Sequence, residues 1–262
     1  MMRKNIVYSW WFKVILILLE FCPIITQNPY NPQNTTILIG DVLKHPFIND
    51  VGFGLVIAKI VLLLILIIPF TKNKYSHKFI LGYYTIILLI SGLFQNMSNT
   101  EYGFTFIVGN MILEFSVAGF CLYDFIKNKS IIAKEDINKK SLWIIPLMFL
   151  ALLMPYTINN NTVIPSVNSI FTNEAGVTYC MITPVIIGIL ILFNKEINKP
   201  TLHIISFVGA IFGVLNAMTW FGVDIQNWWM GILHLPLLIL SIYGLIVSKN
   251  KKSDNKKVNI CD

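Results

Sequence analysis

The chain alternates long apolar runs with short polar breaks. Eight runs are long enough, or nearly so, to cross about 30 Å of hydrocarbon as helices. They cover residues 10–26, 51–70, 79–96, 103–126, 141–157, 177–193, 201–222 and 228–248. The two largest breaks, 27–50 and 158–176, are rich in Asn, Pro and Thr and lack strand-like alternation. They therefore read as ordered loops capping a bundle, and neither is large enough to fold alone. The predicted fold class is all-α: a polytopic membrane helix bundle of about eight transmembrane helices over residues 1–248, with a basic cytoplasmic tail at 249–262.

The lysines orient this bundle. Lys72, Lys74 and Lys78 fall in one break, Lys127, Lys129, Lys134, Lys139 and Lys140 in another, and Lys195 and Lys199 in a third, with more in the tail KNKKSDNKK. All lie on one side if Arg3 and Lys4 lie there too, whereas the opposite breaks hold only Lys44. Basic loops stay cytoplasmic, so both termini are expected inside, in a prokaryotic cytoplasmic membrane. Trp10, Trp11, Trp228 and Trp229 sit at predicted span ends, where indoles favour the interface. The start MMRKNIVYSWWFKVILILLEF has the basic and apolar regions of a signal peptide, but no small-x-small cleavage site follows. It is read as a retained first helix.

Composition agrees. Of 262 residues, 55% are hydrophobic and 13% charged, about half the charged share of a soluble domain; the mean hydropathy is +0.68. The net charge of +7 comes from clusters between apolar runs. It does not form one basic face, which argues against nucleic acid as a partner. Cys22, Cys121, Cys180 and Cys261 form no CxxC pair, and His45, His77, His203 and His234 form no HExxH. No cofactor or metal is therefore expected. Asn34, Asn96 and Asn160 begin Asn-x-Ser/Thr triplets on the outer side, which an Asn-rich chain produces by chance.

Polar side chains inside spans carry the candidate chemistry, because they are costly there and by default functional. The candidate intramembrane cluster is Lys59, Asn110, Glu114, Asn216 and His234, with Glu20 nearby in depth. Counting about 1.5 Å per residue from the outer end puts Lys59 roughly 12 Å deep, Glu114 roughly 16 Å, and Glu20, Asn216 and His234 near 9 Å. Lys59 and Glu114 are thus expected to pair within about 4 Å, with Asn110 adding a hydrogen bond one turn above. His234, two residues before Pro236, is expected to bond locally, since a proline frees a carbonyl. Gly209 and Gly213 form a GxxxG stripe with Ser206 and Asn216, which reads as a helix-packing face.

Three functions fit these features. The leading expectation is a non-enzymatic membrane protein that binds or passes a small solute through an outward-facing polar pocket. The alternatives are an accessory or immunity-type subunit acting on another membrane protein, and an intramembrane enzyme. The enzyme stands last, for the chain has no nucleophile–base set, Walker motif or GxSxG.

Overall fold

A computed structural model describes residues 6–71, 75–132, 137–159 and 162–249. Arg3, Lys4, Lys72, Lys74, Lys134, Asn160 with Asn161 of its triplet, and residues 250–262 of the basic tail lie outside the described residues.

The chain is mostly helical. In order come α1 (Trp10–Glu20), α2 (Thr35–Lys44), α3 (Phe53–Ile67), α4 (Ser76–Phe94), α5 (Val108–Lys127), α6 (Ile145–Leu153), α7 (Tyr179–Leu192), α8 (Lys199–Met218) and α9 (Trp228–Lys249). With their flanking 3-10 or π turns, five are long and apolar enough to cross a membrane: Phe53–Phe70, Ser76–Phe94, Val108–Lys127, Lys199–Val223 and Ile225–Lys249. The runs at 10–26, 141–157 and 177–193 hold shorter helices, of 11, 9 and 14 residues. A helix needs about 20 apolar residues to span alone.

The breaks also depart from the expected loops. The first holds α2, and β1 (Ile25–Thr26) ends the apolar run just before it. β2 (Met97–Thr100) and β3 (Gly103–Phe106) form an antiparallel hairpin, and β1 adds to its edge in the order β1-β3-β2. β4 (Tyr156–Asn159) and β5 (Thr162–Pro165) form a second hairpin. These strands are two to four residues long, too short for a period-2 pattern to stand out. Residues 103–106, assigned to a span, are strand, so α5 starts at Val108.

Burial runs opposite to that of a water-soluble helix. In α3, Ile57, Ile60, Leu64 and Ile67 are exposed while Lys59 is 2% exposed. α1 likewise turns Trp10, Trp11, Val14, Ile15, Ile17 and Leu18 outward. An apolar exterior of this extent suits acyl chains rather than water. At the centre stands α7, apolar all round and buried at every residue except Cys180, as a helix without a polar face must be. It packs on α4, α6, α8 and α9.

The GxxxG stripe does what small residues do between helices. A Cβ on Gly209 would meet Ser241 Oγ, and one on Gly213 would lie 2.8 Å from Leu238 Cα, both on α9. Gly244 of α9 is matched in turn by Ser206 of α8.

Hydrogen bonds tie the connections together in two sets. At one end Ser98 Oγ donates to the His45 carbonyl at 2.5 Å, and the Tyr179 amide to Gln95 Oε1 at 2.8 Å. At the other end the Ile131 amide donates to the Glu196 carbonyl at 2.9 Å, and the Asn198 amide to Ser130 Oγ at 3.0 Å.

Candidate functional site

Lys59 and Glu114 both lie in the second turn of helices that start at the same end, so their similar depth is as expected. Their sideways placement is not, and the expected ion pair is replaced by two separate centres. α3 packs on α4, α7 and the turn Glu174–Gly176, whereas α5 packs on α4, α1 and α8. The two side chains therefore meet different neighbours.

The first centre is built at the end of α6. Met154 closes that helix in the left-handed region, at φ 40°, and Pro155 follows without an N–H to continue the ladder. The last carbonyls of α6 are thereby left without helical partners. Lys59 Nζ donates to the Leu153 carbonyl at 3.1 Å and to Asn173 Oδ1 at 2.7 Å, while Asn173 Nδ2 donates to the Met154 carbonyl at 2.5 Å. A cation at a helix C-terminus also complements the helix dipole. One buried charge and one broken helix end thus satisfy each other. The approach is possible because Gly176 lies against the α3 backbone: a Cβ there would stand 2.6 Å from the Lys59 amide nitrogen.

Above Asn173 lies a cavity of about 170 Å³, lined by Asn49, Leu55, Thr157, Ser169, Asn173 and Glu174 among others. Leu55 is one turn from Lys59 on α3. Tyr156 donates its phenol proton to Glu174 Oε1 beside the cavity. Asn49 Oδ1 is buried without a hydrogen-bond partner in the protein. Lys59 donates to Asn173 and the end of α6 and does not line the cavity; Glu174, whose charge also acts on Lys59, is the charged residue on the cavity wall.

The second centre encloses Glu114, which is 1% exposed. Ser91 Oγ of α4 donates to Glu114 Oε2, and Asn96 Nδ2 donates to Oε1 at 3.0 Å. Asn110 Nδ2, one turn above on α5, donates to Asn96 Oδ1 at 2.9 Å. Asn110 thus supports the carboxyl group through Asn96 rather than directly. Asn96 is 0% exposed and also donates to the Gly92 carbonyl, so its triplet marks a structural amide with no room for a glycan. Glu20 is within electrostatic reach of Glu114, and its carbonyl lies where a Cβ on Gly109 would be.

The other two candidates join neither centre. Asn216 Nδ2 donates to the Phe212 carbonyl of its own helix at 2.8 Å and to Cys180 Sγ of α7 at 3.3 Å. His234 Nδ1 makes a local bond to the Met230 carbonyl at 2.8 Å, not to the Ile232 carbonyl that Pro236 frees, and its ring stacks on Trp220 at 5.9 Å.

Asn173, Glu174, Tyr156, Ser91 and Asn96 all contribute where residue-by-residue reading of charged span positions does not look. Asn96 and Ser91 carry only the faint signal of polar residues in the outer part of run 79–96, since the same count puts them roughly 0 and 8 Å deep, well short of Glu114. Asn173 carries none, because it reaches Lys59 from a segment assigned to a loop.

The fold defines the class: a predominantly helical protein with, among the described residues, five helices long and apolar enough to cross a membrane. No family model matches the chain, and neither a curated protein nor a solved structure resembles it.

Proposed function

We propose that this is a multi-pass protein of a prokaryotic cytoplasmic membrane that binds a small polar solute, neutral or cationic, in the cavity above Asn173. The bundle makes eight passes in this reading, with α1, α6 and α7 as short members completed by their flanking turns and hairpins. The lysine-rich connections and both termini face the cytoplasm. The cavity then opens outward, as an outer solute-binding pocket requires.

The observation that carries this reading is the wall chemistry. Asn49, Thr157, Ser169, Thr172, Asn173 and Glu174 converge on one small hollow, the pattern of a site that fixes a ligand by a few placed polar groups. Glu174 and the unpartnered Asn49 Oδ1 both ask for donors, so the solute class is small amines and polyols.

The test is thermal unfolding of purified protein with ethanolamine, glycerol and acetate as probes. Bound ligand raises the midpoint by mass action. Ethanolamine or glycerol should raise it, and acetate should not. Thr172→Trp, at an exposed rim position, should fill the hollow and abolish the rise. No rise with either donor probe, or an equal rise in Thr172→Trp, rejects the assignment.

A further inference from the structure

A second concavity lies at the opposite end of the molecule, on the outward side of α4 and α5. It measures about 430 Å³ and is lined by Tyr75, Lys78, Phe79, Gly82, Ile86 and Phe125, together with Tyr83. Apart from Lys78 and the tyrosine hydroxyls its lining is apolar. Phe79, Gly82 and Ile86 recur at helical spacing, so they form one stripe running from the first turn of α4 toward mid-helix. Gly82 deepens this stripe, because a Cβ there would press on the Phe125 ring at 3.3 Å. Phe79 and Ile86 are 53% and 61% exposed, so nothing within the described residues covers them.

The polar end of the groove is positive. Lys78 Nζ stands 6.0 Å from the Tyr75 ring and 5.9 Å from the Phe125 ring, and among the described residues no carboxylate accepts from it. The nearby Asp124 spends both oxygens on Ser130, at 2.9 Å to its amide and 2.7 Å to its hydroxyl. His77 and Asn128, 3.4 Å apart, bring the start of α4 beside the end of α5, and there Lys127 is exposed. The N-terminal dipole of α4 adds to the same positive field.

We infer that this groove holds an anionic phospholipid, with one acyl chain along Phe79, Gly82 and Ile86 and the headgroup phosphate at Lys78. The charge selects the occupant. An uncharged tail would leave Lys78 at the headgroup level without a counterion among the described residues, and a free anion would leave the apolar stripe empty. This site is independent of the solute pocket, which lies at the other end of the bundle.

Native mass spectrometry of the purified full chain tests it, with 1-palmitoyl-2-oleoyl phosphatidylglycerol as probe and the phosphatidylcholine of the same chains as control. One phosphatidylglycerol should be retained in preference to phosphatidylcholine. A lysine near a membrane surface contributes enough that Lys78→Gln should weaken retention roughly fivefold and erase the preference. Ile86→Trp, at an exposed position, should fill the groove and weaken both lipids while leaving the thermal midpoint unchanged. The assignment is overturned if Lys78→Gln keeps the preference, if Ile86→Trp retains lipid as wild type does, or if inorganic phosphate alone displaces the phosphatidylglycerol.

Discussion

Lys59 Nζ lies 2.7 Å from Asn173 Oδ1, and this contact joins the second turn of α3 to the turn that precedes α7. It places a cation 2% exposed against the unwound end of α6, where carbonyls need donors. Lys59→Met should therefore destabilise through the α6 end as well as through α3. Asn173→Leu should do more damage than its size suggests, because it strips Lys59 of an acceptor and the Met154 carbonyl of a donor. Hydrogen bonds to charged groups contribute about 1.5–3 kcal/mol each, so a loss in that range is expected for Asn173→Leu. Thermal unfolding in detergent measures it, and a loss below about 0.5 kcal/mol, typical of a surface change, would contradict the arrangement.

Glu114 answers to a different rule. Its carboxyl group is met by Ser91 and Asn96, and a carboxamide can accept from Asn96 while donating to Ser91 Oγ. Glu114→Gln should thus stay within about 1 kcal/mol of wild type, whereas Glu114→Leu should lose about 1–3 kcal/mol by leaving buried donors without an acceptor. Equal losses for Gln and Leu would show that the caged geometry is wrong.

The two centres share no partner, so their energies should add. In a cycle of Lys59→Met, Glu114→Gln and the double variant, the coupling should be below about 0.5 kcal/mol. Rescue of one change by the other would restore the ion pair that sequence depth suggested.

Gly213→Val should separate α8 from α9. The new side chain would meet the Leu238 backbone, 2.8 Å from its Cα, and backbone cannot swing aside as a side-chain tip can. Overpacking of this kind costs about 1–3 kcal/mol. Gly119→Val, where a Cβ meets nothing within 4 Å, is the control and should lie close to wild type. A Gly213→Val midpoint equal to that of the control would remove the GxxxG face from the fold.

Sidedness can be read with reporter fusions. Fusions after Asn128 and Lys195 should both report cytoplasm, since their connections are joined by the Ile131–Glu196 and Asn198–Ser130 bonds. Fusions after Ser98 and Gln226 should report the outside. Opposite signals from Asn128 and Lys195 would break the alternation of passes.

How much of this the sequence carries differs by level. The apolar runs locate α3, α4, α5, α8 and α9 to within a few residues, because long helices of uniform hydropathy dominate any window. They overstate α1 and α6, where the run continues past the helix into apolar strand and turn residues such as Ile24, Ile25 and Tyr156. Charge and depth identify Lys59 and Glu114 as buried polar positions, and helical spacing ties Asn110 to Glu114. Depth is one coordinate only. Which neighbour a helix presents to a side chain depends on packing order, and with α4 against both α3 and α5 the lysine turns to a loop amide instead of the glutamate. Asn173 is two residues from Phe171 and Ala175 in a segment without periodicity, so no pattern could nominate it.

The proposed solute pocket adjoins the Lys59 centre and not the Glu114 centre, and one measurement separates them. The thermal midpoint of wild type, Glu174→Gln and Glu114→Gln is followed as ethanolamine is raised. Gln at 174 still accepts from Tyr156, while the charge on the cavity wall, which also acts on Lys59, is lost; the midpoint without ligand reports any cost of that loss. The expected result is a rise in Glu114→Gln equal to that of wild type and no rise in Glu174→Gln. A rise that survives in Glu174→Gln and disappears in Glu114→Gln would contradict the assignment of the pocket.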